Sequence, residues 1–359
     1  MTGAKQIRFD NLPGWHREDH QKAYSAFHAS ASYLLDNPPK SHGDEVDIEA
    51  LLACAQKALE LGPELGADQA RNFFEDHFEL ANLDEEGFVT GYFEPSFEGS
   101  RTQSADYPVP LHTRPNDLVM VTKDQDISHL SSETSFARKL DDNSLTYHVN
   151  RSEVMDGALD GQDLELVWLK NWVDAFVIHI QGSARIDLHD GSIMRVAFDG
   201  KSGHPYCSLG KRLIEMGIFT KDTITMDKLV AYLRDQGQES LDLLRQNPSY
   251  IFFKEQKDLP LEYGPLAAAQ IPLLPMRSLA IDRNCRTFGI PVWIETCLPQ
   301  GKNALVPCKQ LFFAHDTGSA IQGEARGDLF IGTGAEAGSF AGRIKQQARF
   351  TLFLPKRSR

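Results

Sequence analysis

The apolar pattern of this chain changes near Gly87, from helical stripes to runs of strand-like residues, and that change constrains the fold most: helices come first and a mainly β body follows. Ala23, Phe27, Ala31 and Leu34 recur at helical spacing until Asn37-Pro38-Pro39 stops the run. Ile48, Leu51, Leu52, Ala55 and Leu59 form a second stripe. Asp47 is placed to cap it and Gly62-Pro63 to end it. Phe73, Phe74, His77 and Phe78 give a third. From Gly87 the β-branched and aromatic content is that of strands, beginning with Phe88-Val89-Thr90-Gly91-Tyr92-Phe93. Strand-like runs follow at 164–169, 176–180, 185–188 and 193–198, with Asp190-Gly191 as a hairpin turn between the last two. Helices are expected near 209–216 and 226–234. Residues 265–359 return to short strands punctuated by Gly and Pro, a spacing that suits a barrel more than a parallel βαβ sheet.

Bulk properties exclude several classes. The 359 residues suffice for two or three domains. The net charge of -13, from 50 acidic and 37 basic side chains, argues against a general nucleic-acid binder, which needs a concentrated basic surface. There is no run of about 18 apolar residues, the length that suggests a membrane-spanning helix. The start, Met1-Thr2-Gly3-Ala4-Lys5-Gln6, lacks the apolar stretch of a secretion signal, so the chain is cytoplasmic or its signal has been removed or lies upstream. Five cysteines without a CxxC pair point to buried free thiols and to no zinc site. No metal or organic cofactor is expected.

Three aspartates near the C-terminus stand at the ends of strand-like segments, and glycines follow two of them. Asp282 follows Ser278-Leu279-Ala280-Ile281. Asp316 follows Leu311-Phe312-Phe313-Ala314-His315. Asp328 precedes Leu329-Phe330-Ile331-Gly332. Such places let a carboxylate and backbone N–H groups face a ligand closely, and they equally suit an Asp that caps its own turn. Asp316-Thr317-Gly318-Ser319 also spells the aspartic-protease signature. That chemistry needs two carboxylates sharing a proton, one from each such motif, and the chain has no second Asp-Thr-Gly or Asp-Ser-Gly.

Seven segments, in order, resemble the membrane-bound lytic transglycosylase A family. Gly91-Tyr92-Phe93-Glu94-Pro95 resembles its GYYEP segment and Tyr107-Pro108-Val109-Pro110-Leu111 its FPVPLY. His179-Ile180-Gln181-Gly182-Ser183-Ala184-Arg185 resembles IQGSGR, and Gly200-Lys201-Ser202-Gly203-His204-Pro205-Tyr206 resembles GKNGHPY. Asn247-Pro248-Ser249-Tyr250 resembles NPSY, and Arg277-Ser278-Leu279-Ala280-Ile281-Asp282 resembles RSLAVD. The last segment resembles the module named for three aspartates, with Gln322 where the family has Lys and Ser319 where it has Gly; in the earlier segment 179–185, Ala184 also stands where the family has Gly.

The resemblance implies a mainly β fold with N-terminal helices: a double-psi β-barrel domain from 1–103 plus 240–359, and a smaller inserted β domain at 104–239, with a glycan groove between them. It implies cleavage of the β-1,4 bond between N-acetylmuramic acid and N-acetylglucosamine in peptidoglycan, with 1,6-anhydromuramic ends. Asp328 would be the single acid/base, Asp316 its supporting neighbour and Asp282 a structural brace. Tyr92, Phe93, Gln181, Ser183, Tyr206, Gly318 and Ser319 would touch sugar. The partners implied are peptidoglycan glycan strands and cell-wall enzyme complexes, with a monomer favoured and a periplasmic or outer-membrane location. A two-carboxylate glycan hydrolase and a non-catalytic glycan-binding module are the alternatives.

Overall fold

The structure, a computed structural model, describes all residues other than 1–3, 44, 45, 123, 133, 258, 262, 302, 303, 319, 358 and 359. Ser319, an expected sugar contact, lies outside the described residues. The chain packs as two compact units, Met1–Phe93 with Leu259–Arg359, and Glu94–Asp258.

The first unit begins with strand β1 (Ala4–Ile7) and the helices α1 (His20–Asp36), α2 (Ile48–Leu61) and α3 (Ala67–His77). Their starts and stops follow local chemistry. The Asp47 carboxylate accepts from the Ala50 N–H at 3.1 Å, which satisfies one otherwise unpaired donor of α2. Ala23, Phe27, Ala31 and Leu34 are buried along one face of α1, as their spacing predicts. Strands β2 (Phe78–Leu83) and β3 (Gly87–Glu94) follow.

The inserted unit holds β4 (Ser96–Ser100), β5 (Val109–His112), β6 (Leu118–Met120), β7 (Phe136–Lys139), β8 (Leu145–Thr146) and α4 (Arg151–Met155). Next come β9 (Glu165–Leu169), α5 (Trp172–Gln181), β10 (Ser183–Leu188) and β11 (Ile193–Lys201). The helices α6 (Leu209–Glu215), α7 (Met226–Asp235) and α8 (Glu239–Arg245) lead to β12 (Ile251–Glu255). Its main sheet has the order β12-β11-β10-β4-β9-β5, and β6-β7-β8 form a second. This unit is wider than 104–239, because β4 and β12 are members of its sheet. It also carries the five helices α4–α8 beside its strands.

Residues 176–180, expected as a strand, lie inside α5. The run from Val173 to His179 is buried on every side, so its sequence shows neither a two-residue nor a 3.6-residue period. Its caps decide the matter. Asn171 accepts from the Asp174 N–H at 2.9 Å, and Gly182 ends the helix at φ +76°, a conformation that favours glycine. The expected hairpin is present between β10 and β11, with Gly191 at φ +82°.

Back in the first unit come β13 (Ser278–Ile281), β14 (Pro291–Gln300), β15 (Ala304–Asp316), β16 (Arg326–Thr333), α9 (Ala335–Ala341) and β17 (Lys345–Pro355). The order β17-β14-β15-β13-β16-β3 closes on itself, because Lys345–Ala348 of β17 pairs with β3. The far half of β17 pairs with β2, which pairs with β1. The result is a closed six-stranded barrel extended by two strands, so the fold is mainly β with N-terminal helices. The helices cover the barrel: Phe27 of α1 meets Phe313 at 6.0 Å, and Trp15 meets Trp293 at 5.7 Å. Each such fully buried aromatic contributes about 1.5–3 kcal/mol.

Two buried polar networks tie together segments that are far apart in the sequence of the inserted unit. Arg151, 1% exposed, donates from Nη1 to His179 Nδ1 at 2.8 Å, from Nε to the Asn247 carbonyl at 3.1 Å and from Nη2 to the Ser249 carbonyl at 2.7 Å. Burial, and then the Arg151 charge, hold His179 well below the usual histidine range, so it is neutral and accepts through Nδ1. Glu94, fully buried, pairs with Arg185 at 2.8 Å and Arg195 at 3.1 Å.

Candidate active site

Four adjacent strands of the barrel, β15-β13-β16-β3, build the site: β15 carries Asp316, β16 carries Asp328, β13 lies between them and β3 beside β16. Ala280 on β13 is the register partner of Asp328 on the antiparallel β16 and of Asp316 on the parallel β15. Register partners on neighbouring strands share a face. The two aspartates therefore flank a methyl group, with backbones about 9–10 Å apart across two strand spacings. Alternation along β16 turns Leu329 into the barrel core and Asp328 with Phe330 to the other side, where Phe330 packs against Tyr92 at 5.3 Å. Along β3 the same alternation buries Val89 in the core and turns Thr90 and Tyr92 toward the aspartates.

Asp328 Oδ1 lies 2.7 Å from the Thr90 hydroxyl, and Arg326 Nη2 donates to that same hydroxyl oxygen at 2.7 Å. Burial raises the Asp328 carboxyl to about 6, against the lowering influence of the Thr90 hydrogen bond and the Arg326 charge. Asp316 adds a small push in the raising direction. Asp316 itself is pushed up by burial, and is partly held back by hydrogen bonds. Its Oδ1 accepts from the Ala268 N–H at 3.0 Å and its Oδ2 from the Tyr92 hydroxyl at 3.0 Å. Burial and then the Asp316 charge drive the Tyr92 phenol well above its ordinary value, so it stays a donor. Just before Asp316, the buried His315 is joined through Nδ1 to Ser278 Oγ at 2.9 Å, which anchors the end of β15 to the start of β13. Burial lowers His315 to about 3, so it is neutral.

Asp282 is a different kind of group. Burial alone would raise it, but the N–H groups of Gly323 and Asn284, each 2.9 Å from its oxygens, prevail and hold it below the usual carboxylate value. Through the Gly323 N–H it clasps the loop before β16.

The other expected residues are placed as follows. Phe93 packs on α9, where a side chain at Gly338 would meet its ring at 2.6 Å. Gly318 is exposed in the loop after Asp316. In the inserted unit, Gln181 is the last residue of α5 and Ser183 the first of β10. Tyr206 is 46% exposed. Sequence reading missed Thr90, Arg326, Ala268 and His315. Only Thr90 left a signal, two residues before Tyr92 on a strand whose alternate residues share a face.

A carboxyl group that keeps its proton to about pH 6, hydrogen-bonded on one oxygen, can deliver that proton to a leaving oxygen and receive one in return. Among the described residues no group of three or more His, Cys, Asp or Glu could hold a metal ion.

Comparisons with known proteins bear on the family and the fold. Residues 88–254 match the MltA specific insert domain, and residues 277–354 match the 3D domain. The membrane-bound lytic murein transglycosylase A of Vibrio cholerae is 30% identical over 76% of this chain and 67% of its own length. A membrane-bound lytic murein transglycosylase structure from Agrobacterium tumefaciens is 34% identical, covers 98% of each chain and superposes with a TM-score of 0.88. MltA from Neisseria gonorrhoeae, in a monoclinic form, is 28% identical over 99% of this chain and 93% of its own, with a TM-score of 0.80.

Proposed function

The chain belongs to the MltA family and is a peptidoglycan lytic transglycosylase, and on that premise we propose that Asp328 acts alone as its acid and base, leaving 1,6-anhydromuramic ends. The observation that carries the reading is a raised carboxyl at Asp328 beside an Asp316 whose two oxygens are both engaged. Protonated Asp328 gives its proton to the glycosidic oxygen as the bond from that oxygen to the anomeric carbon breaks. The C6 hydroxyl of the same muramic residue then bonds to the anomeric carbon and returns its proton to Asp328. No water is consumed and the carboxyl is regenerated.

Asp316 supports this cycle as a like charge that opposes ionisation of Asp328. In this reading Tyr92, Phe93, Gln181, Ser183, Tyr206 and Gly318 contact sugar rings and amides, an apolar surface with a few polar groups. The relatives are named for a membrane, and peptidoglycan lies outside the cytoplasm, so the working location is the periplasm or outer membrane.

A well-placed intramolecular nucleophile behaves like about 10⁵–10⁸ M reactant, against roughly 55 M for bulk water. The C6 hydroxyl should therefore outcompete water. Digestion of sacculi in ¹⁸O-labelled water should release muropeptides lighter by one water and without label at the new end. Labelled reducing ends as the main product would mean a hydrolase with a second working carboxylate.

The starting form is the protonated acid, so turnover should follow the protonated fraction of Asp328. It should be near its plateau below about pH 6 and fall roughly tenfold per pH unit well above that. A pH profile of kcat on soluble glycan strands checks this, and a flat rate from pH 5 to 8 would contradict an acid that titrates near 6.

A further inference from the structure

We propose that Arg326, acting through the Thr90 hydroxyl, is a positioning residue that fixes which oxygen of Asp328 carries the catalytic proton. It rests on Asp328 being the acid/base. The Thr90 oxygen has one proton and two lone pairs. A guanidinium only donates, so the Arg326 contact at 2.7 Å occupies one lone pair and draws electron density from the hydroxyl. That makes Thr90 a better donor and a poorer acceptor. Its own O–H is then directed to Asp328 Oδ1, 2.7 Å away, which becomes the accepting oxygen. The acid proton is left on Oδ2, free for a leaving oxygen.

The placement is built by strand pairing. Phe88 and Thr90 lie two residues apart on β3, and Arg326 spans both. Its guanidinium carbon sits 5.5 Å from the Phe88 ring centroid, Nη2 is on Thr90, and Nη1 is on the Gly327 carbonyl. Among the described residues no ion pair within 4 Å joins Arg326 directly to Asp328. A direct pair would hold the carboxyl ionised and useless as an acid. One hydroxyl removed, the cation still steadies the carboxylate that remains after the proton has left.

The test is a set of pH profiles of kcat on soluble glycan strands. Thr90→Val and Arg326→Gln each remove an influence that favours the ionised form. The alkaline limb should move upward in both, on the order of one pH unit for Thr90→Val. Plateau kcat should fall severalfold while KM changes little, and Thr90→Ser should restore the original profile. The deciding variant is the double one. If the cation acts through the hydroxyl, Thr90→Val with Arg326→Gln shifts the limb no further than Thr90→Val alone. Additive shifts, or a limb unmoved in Arg326→Gln, overturn the relay. Should Thr90→Val fail to fold, Arg326→Gln against Arg326→Gln with Thr90→Ser still reads the shift. Failure of the underlying reading looks different: Asp328→Asn would then keep its turnover.

Discussion

Asp328→Asn is expected to lose about 10²–10⁴ in turnover on sacculi while keeping its fold, because that is the usual worth of general acid/base help. The amide matches the carboxyl in size and its oxygen can still accept from Thr90, so packing on β16 is preserved. It cannot supply the acid proton. Stability separates this from a damaged fold, and the direction is fixed by linkage. Asp328 is held protonated in the folded chain, so its contribution is intact at low pH and is lost as pH rises through about 6. The gap between 3.8 and about 6 corresponds to on the order of 3 kcal/mol as an upper figure. The Asn variant should therefore be no less stable than the parent at pH 4, and more stable at pH 8. Urea unfolding at both pH values, with turnover measured on the same samples, checks the pair of statements. Near-parental turnover, or a variant that loses stability more at pH 8 than at pH 4, would remove Asp328 from the centre of the chemistry.

What could be read in the sequence was local. The stripes of α1 and α2 declare themselves because one face is buried and the caps at Asp47 and Gly62 stand beside the stripe. The carboxylates at 282, 316 and 328 stand in recognisable segments, and two of the three do face one another's neighbourhood across Ala280. What could not be read depends on pairing between distant strands. Thr90 meets Asp328 across 238 residues, and nothing near Thr90 specifies β16 as its neighbour. Closure of the barrel by β17 on β3 has the same character. The misplaced strand at 176–180 fails for the opposite reason. Burial of every residue from Val173 to His179 in α5 erased the periodicity that would have identified it.

Glu94 illustrates how a motif carboxylate can be structural. It lies in the Gly91-Tyr92-Phe93-Glu94-Pro95 segment, where a reader seeking a second catalytic acid would look. Yet it is fully buried and neutralised by Arg185 at 2.8 Å and Arg195 at 3.1 Å, the latter itself 3% exposed. Taking charges out of water is costly, and their mutual attraction offsets that cost only while the set is complete. Glu94→Ala leaves two guanidiniums without their anion beneath the sheet, and should destabilise the chain by about 3–5 kcal/mol. Glu94→Gln should behave similarly, since it keeps the shape and one acceptor but not the charge. Adding Arg195→Met to Glu94→Ala removes the more deeply buried cation and should recover part of the loss, because replacing buried ions by apolar groups of similar volume is often neutral. Urea unfolding of the four proteins at pH 7 measures this. Turnover per folded molecule, taken at low temperature, should stay within a few-fold of the parent throughout. A Glu94→Ala loss below about 1 kcal/mol would show that the cluster is not what holds this part of the inserted unit. A stable Glu94→Gln protein without turnover would instead make Glu94 the second carboxylate that a hydrolase requires, and the single-acid mechanism would fall with it.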